Sequence, residues 1–352
     1  MSRAMKPAWS VPAIILLLAA LACSTQASAP VTPAQSLNPP TIAARTPTPL
    51  ASLPTVGAVE PPGPGGTPAG VSILWRVPVP GNGSPGLLNV DPLGDVSLAT
   101  GQGGAYIFDP DGNVLVDFNP GEGSLIVDIK MDLYGNLLLA DPPHHQVIVA
   151  SPGGEFLGSL GRQGTADGEF SQDSPLALEV SPITNNYYAL NKNPGGSRLQ
   201  VFDGNDGRFM RSFPLGEGAF QDMAFSADNL LYILDRANPG ILKVDPETGL
   251  VLERLGAEAL AGSSPRGLAL DAAGNLYLSL DSSPSQAAIY VLDAQGGLEM
   301  TLGGLTSTAG ADRLEGTFFE PGGIAVTSDG RLLFLADGAQ GSVYLTAYQV
   351  KD

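Results

Sequence analysis

The sequence predicts an all-β chain whose residues 71–352 form a closed six-bladed β-propeller of four-stranded blades. Three observations predict it. Gly and Pro number 45 and 31 of 352 residues while only 15% of residues are charged, too many turn formers for a helical protein. A unit of apolar strand, tight turn, apolar strand and closing polar residue recurs six times, the signature of a repeat architecture. The last unit lacks a fourth strand, and an unassigned apolar strand, Ser72–Val79, precedes the first.

The six copies are Leu87–Thr100, Val127–Asp141, Ala177–Asn191, Asp222–Asp235, Gly267–Asp281 and Gly323–Asp337. Their turns open at Asp91, Asp132, Ser181, Ser226, Asp271 and Thr327, spaced 41, 49, 45, 45 and 56 residues apart, which suits four strands per unit. The flanking runs are too short and too rich in β-branched and aromatic residues for helices, and Asp, Asn and Gly at the reversals are strand-turn residues. Third strands follow at Ala105–Phe108, Gln146–Val149, Arg198–Phe202, Ile241–Val244, Ala288–Leu292 and Val343–Val350. Fourth strands follow in the first five units only, at Val114–Phe118, Glu155–Leu160, Phe209–Phe213, Leu250–Leu255 and Leu298–Leu302. With Ser72–Val79 as the outer strand of the last blade, the ring closes and no long sheet edge is left bare.

The N-terminal region reads differently. Arg3 and Lys6 precede the apolar run Val11–Ala22, which is too short to span a bilayer and predicts a signal peptide over residues 1–22. The stretch Ala20-Leu21-Ala22-Cys23 resembles the lipobox of bacterial lipoproteins, which implies lipidation of Cys23, the only cysteine, and export to the membrane or outer envelope of a bacterium. Residues 24–70 hold 11 Pro and no aromatic residue, so segment 23–70 reads as a disordered, lipid-anchored linker. A net charge of −18 from 17 Lys+Arg and 35 Asp+Glu argues against a nucleic-acid partner. One Cys excludes an intramolecular disulfide and a CxxC redox pair.

The segment Leu138–Phe170, with Asp141, His144-His145-Gln146, the run Gly154-Glu155-Phe156-Leu157-Gly158-Ser159-Leu160-Gly161 and the loop Gly164-Thr165-Ala166-Asp167-Gly168-Glu169-Phe170, is similar to a repeat of the NHL family. Gly316-Thr317-Phe318-Phe319-Glu320-Pro321 opens the sixth unit in the same manner. The resemblance implies a propeller that serves as a protein, RNA or ligand platform and, in some relatives, as an enzyme, so that fold alone leaves function open.

Counting back from each turn, the first and third positions are apolar in all six units, for example Met131 and Ile129 or Leu270 and Leu268. They form the core stripe. The second and fourth positions face the axis and hold Asn89, Lys130, Glu179, Asp128 and Asp222, with Arg266 one step further back. These six polar residues are the candidate axial-channel ligand site, because half-buried charges need partners and gather where ligands bind. A purely structural arrangement would pair Lys130 with Glu179 and Asp222 with Arg266. The metal site of gluconolactonase-like propellers does not carry over, since the fifth positions read Gly86, Val127, Leu176, Gln221, Arg266 and Gly322. The zinc site of amidating-lyase propellers needs several histidines, and His144 and His145 are adjacent. Neither a G-x-S-x-G elbow nor a P-loop occurs. No catalytic residue, metal or cofactor is therefore assigned. The polar residues closing each second strand, Thr100, Asp141, Asn191, Asp235, Asp281 and Asp337, are expected to accept backbone N–H groups of the loop that follows.

Two functions are expected. The first is a non-catalytic, lipid-anchored module that binds an envelope or extracellular protein or a small ligand through loops such as Gly161–Ser174 and Gly303–Phe319. The second is a gluconolactonase-like hydrolase or lyase with its site in the axial channel.

Overall fold

The computed structural model describes residues 71–80, 83–101, 104–193, 195–283, 285–286, 288–305, 317–339 and 341–350. The segment 1–22 expected to be a signal peptide, Cys23, the expected linker and the middle of the Gly303–Phe319 loop lie outside the described residues. Strand β1 is Val71–Pro78. Blade one comprises β2 (Leu88–Val90), β3 (Val96–Ala99), β4 (Ala105–Phe108) and β5 (Val114–Phe118), and blade two β6 (Asp128–Met131), β7 (Leu137–Asp141), β8 (Gln146–Ala150) and β9 (Phe156–Leu160). Blade three is β10 (Leu178–Val180), β11 (Tyr187–Asn193), β12 (Gly196–Phe202) and β13 (Phe209–Gly216), and blade four β14 (Phe220–Phe225), β15 (Leu231–Asp235), β16 (Gly240–Val244) and β17 (Val251–Leu255). Blade five is β18 (Ser264–Leu270), β19 (Leu276–Ser282), β20 (Ile289–Leu292) and β21 (Leu298–Leu302). A short parallel pair, β22 (Gly304–Leu305) and β23 (Thr317–Phe318), leads into β24 (Glu320–Val326), β25 (Leu332–Ala339) and β26 (Ser342–Val350) of blade six.

Each blade is an antiparallel meander, and the six four-stranded sheets form the expected propeller. The sixth has the order β1-β26-β25-β24, so the N-terminal strand occupies the outer place of the last blade. Its register runs from Val71 opposite Val350 to Pro78 opposite Tyr344.

Local chemistry explains the meanders. At the first turn of blade two, Asp132 Oδ1 accepts the amides of Tyr134 and Asn136, each at 2.8 Å. Gly135 between them takes φ +82°, a left-handed conformation that a side chain would strain. In blade one Asp91 holds Leu93 and Asp95 in the same way, and in blades four and six the hydroxyls of Ser226 and Thr327 replace the carboxylate. These turn acids are thus structural, as side chains that close Asx and ST turns.

The core is divided among the blade interfaces. Six buried apolar clusters occur among the described residues, each combining residues of two neighbouring blades, and Leu87 of blade one joins the cluster of blades three and four. The junction of blades six and one is no weaker in kind: Phe334, Leu345 and Ala347 pack with Leu98 and Phe108. Trp75 of β1 lies against this cluster, 6.1 Å from the Phe334 ring, and donates its Nε1–H to Pro110 O of blade one at 2.7 Å.

Trp75→Ala removes that packing and leaves the carbonyl without its donor, so unfolding free energy is expected to fall by about 2–4 kcal/mol. Urea denaturation reads this as a lower midpoint at unchanged slope. An unchanged midpoint would show that the outermost strand adds nothing to closure.

Candidate functional site

The first strands converge on the axis, and the structure sorts the six predicted channel residues into two groups. Asp128, Lys130 and Asp222 are buried together within the channel, with Lys130 only 3% and Asp222 only 2% exposed, and Glu179 lies half-buried beside them. Lys130 Nζ lies 3.3 Å from Glu179 Oε2, the expected pair. Each acid is also tied to backbone. Asp128 accepts Ile129 N and, from the next blade, Leu178 N, both at 2.7 Å. Asp222 repeats the arrangement two blades on, accepting Met223 N and Leu268 N at 2.8 Å. Glu179 Oε1 accepts Val180 N at 2.9 Å. Both aspartates therefore work as staples between adjacent blades, their oxygens already engaged.

Three carboxyls and one ammonium share this largely buried space, and their proton affinities follow from it. Burial pushes Asp222 up to about 8, with Lys130 opposing the rise and Asp128 adding to it. Burial likewise raises Asp128 and Glu179 against the pull of Lys130. Burial alone would lower the Lys130 ammonium, but Glu179, Asp128 and Asp222 together hold its proton affinity above the ordinary value.

Asn89, in β2 of blade one, is half-buried, opposite Ser97, and its side chain makes no hydrogen bond among the described residues. Arg266 departs from expectation. It does not pair with Asp222; its Nε donates to Asp281 Oδ2 at 2.5 Å. The cause is a register shift in β18 between Pro265 and Gly267. The extra residue of a bulge is turned away from regular alternation, and Arg266 is delivered to the mouth of the channel.

That mouth is a cavity of about 540 Å³ on the face where first strands begin. All six fifth positions line it: Gly86, Val127, Leu176, Gln221, Arg266 and Gly322. Gln221 is also the extra residue of a register shift, between Phe220 and Asp222. Further apolar wall comes from Pro85, Leu87 and Leu125, and further charge from Lys192 and Arg236. The buried four-residue cluster is not part of the lining.

Arg236 and Lys192 escaped the reading of the sequence. Each stands one residue past the polar residue that closes a second strand, after Asp235 and Asn191, as does the lining residue Gly101 after Thr100. That shared position was the available signal.

Four of the six closing residues follow one rule. Asp141, Asn191, Asp235 and Asp337 accept the amides of Leu125, Ser171, Ala219 and Phe319. These amides belong to the loop that leads into each blade rather than the following loop expected from sequence; Asp235 also holds Ala237 and Asn238 of the following loop. Thr100 instead donates to Gly104 O. Asp281 accepts two guanidinium groups, Arg266 Nε at 2.5 Å and Arg236 Nη2 at 3.0 Å, and Arg236 also donates to Ser264 Oγ. At blade five the ring's structural task gives way to an Arg–Asp–Arg bridge at the cavity.

His144 and His145 lie outside the cavity lining. His144 Nδ1 is 2.8 Å from Asp141 Oδ2, and His145 Nδ1 is 2.9 Å from Ser171 O. Among the described residues no group of three or more His, Cys, Asp or Glu side chains is placed to hold a metal.

No protein-family model matches the chain, and no curated protein matches its sequence. Solved structures do match. A streptogramin B lyase superimposes with a TM-score of 0.55 at 13% identity, covering 80% of this chain and 98% of that one. A catalytically inactive His-to-Ala variant of virginiamycin B lyase from Staphylococcus aureus, solved with quinupristin, gives 0.57 at 12% identity over 80% and 100%. A protein of unknown function from Bacteroides caccae gives 0.50 at 16% identity over 64% and 84%. At such identities the likeness concerns the fold alone.

Lys130→Met would leave three buried carboxyls without a counter-charge, a loss of about 3–5 kcal/mol near pH 8–9. The sign with pH is fixed by the raised carboxyl affinities: above the unfolded value near 4 and up to about 8 the folded chain alone holds the Asp222 proton, so stability falls as pH rises through that window. Thermal melts are expected to show the variant recovering towards the parent near pH 5, where Asp222 holds its proton. A deficit independent of pH would contradict this account of the cluster.

Proposed function

We propose that the chain is a non-catalytic binding module of the bacterial cell envelope, exported, tethered by a lipid on Cys23, and working through the axial mouth of an NHL-like propeller. The observation that carries the reading is the cavity of about 540 Å³, a size typical of small-ligand sites, placed where Asp281 leaves its structural role to hold Arg236 and Arg266. The apolar run ending at Cys23 supports the tether. The loop Gly161–Ser174 adjoins the mouth through a second cavity that shares Lys192, which gives an envelope or extracellular protein a rim to contact.

A second reading, a lyase, draws on the two lyase neighbours. The carboxyls suited to acid–base work lie below the mouth and are committed to backbone amides and Lys130, which favours binding over turnover.

Two measurements test the proposal. In a bacterial host the parent chain is expected in the membrane fraction with a lipid-modified N-terminus by mass spectrometry, and Cys23→Ser is expected to lose both; a soluble parent chain would end the tether reading. Incubated with quinupristin, the chain is expected to leave it chemically intact. Turnover that Arg266→Ala abolishes would replace the binding reading with the catalytic one.

A further inference from the structure

The mouth is chemically two-sided, and from this we infer that its ligand is an amphipathic anion, a carboxylate on an apolar body. The inference rests on the mouth being the binding site. Pro85, Leu87, Leu125, Val127 and Leu176, from blades one to three, supply an apolar wall. Lys192, Arg236 and Arg266, from blades three to five, supply a contiguous cationic arc. No acidic side chain lines the cavity among the described residues, although the chain carries 35 Asp and Glu and a net charge of −18. The cations are thus concentrated against the overall balance.

The Asp281 carboxylate neutralises one of the two guanidinium charges and fixes both groups in place. Arg266 is gripped through Nε, and its two terminal amino groups have no partner among the described residues. Arg236 is held through Nε and Nη2 by Ser264 and Asp281, which leaves Nη1 unengaged among the described residues. Arg266 and Arg236 keep 33% and 38% of their side-chain surface exposed. Planar N–H donors held in position and facing a cavity match the two oxygens of a carboxylate, whose charge offsets the remaining guanidinium charge. The facing apolar wall excludes a small hydrated anion as the best fit and favours a head group with a hydrocarbon body. A cationic ligand would meet uncompensated like charge.

Isothermal titration of the full chain with octanoate, octanol and octylamine tests this. Octanoate is expected to bind about tenfold or more tightly than octanol, as one charge-assisted contact implies, and octylamine not to bind. Added salt is expected to weaken octanoate and leave octanol unchanged. Arg266→Met and Arg236→Met are each expected to weaken octanoate about tenfold, and Arg266→Lys, which keeps the charge but loses the fork, by less. The salt series on the unmodified chain decides the matter if a substitution disturbs folding. Equal affinity for octanoate and octanol, or preference for the amine, overturns the anionic ligand while the binding reading stands. Failure of all three probes to bind overturns the inference together with the axial binding site.

Discussion

Ring closure is the constraint on which the rest of the molecule depends. A four-stranded blade cannot bury both faces by itself, and each of the six apolar clusters is built from two blades. Remove one junction and two blades expose a face. The sixth sheet is completed by strands from opposite ends of the described chain, β1 against β26, so β26 is not left as a bare outer edge, and Trp75 of β1 reaches the cluster shared with blade one. Closure also forces six first strands to one axis. The channel, its buried charges and the cavity above them are geometric products of that convergence.

Convergence creates an electrostatic difficulty that the sequence resolves locally. Backbone amides at the start of Leu178 and Leu268 would face the axis without partners, and Asp128 and Asp222 supply acceptors from the neighbouring blade. Such staples place negative charge in a region of low dielectric, where an unpaired carboxylate is costly. Lys130 compensates for part of it, and the proton held by Asp222 accounts for more. The channel is therefore plugged by a cluster whose members satisfy one another, and chemistry with a ligand is displaced upward to residues that the staples do not use.

The repeat made the fold legible. Turn residues such as Asp132 and Ser226 act through bonds to amides two and four positions away, so a local reading of the sequence captures their work. The missing fourth strand and the orphan strand near residue 72 were a matching pair of facts, and the Lys130–Glu179 bridge followed from two strands sharing one register. Arg266 was not legible in the same way. Its direction depends on a bulge at Pro265–Gly267, and nothing in strict alternation announces one. Arg236 lies beyond the end of β15, in loop geometry to which strand periodicity does not extend. The site was thus half visible: the strand positions that line it could be counted, but the charges that give it character come from the irregular steps.

The place of β1 also fixes an orientation. Fourth strands of a blade run from the far face towards the face of the mouth, and β1 takes that role in blade six, with Val71 beside Val350 and Pro78 beside Tyr344. Val71 therefore starts at the face opposite the cavity, and Val350 ends there too. A tether attached ahead of Val71 would hold the propeller by its underside. The lipid tether proposed above would therefore join the propeller at the face opposite the cationic, apolar mouth, so that anchoring and ligand binding need not compete for one surface.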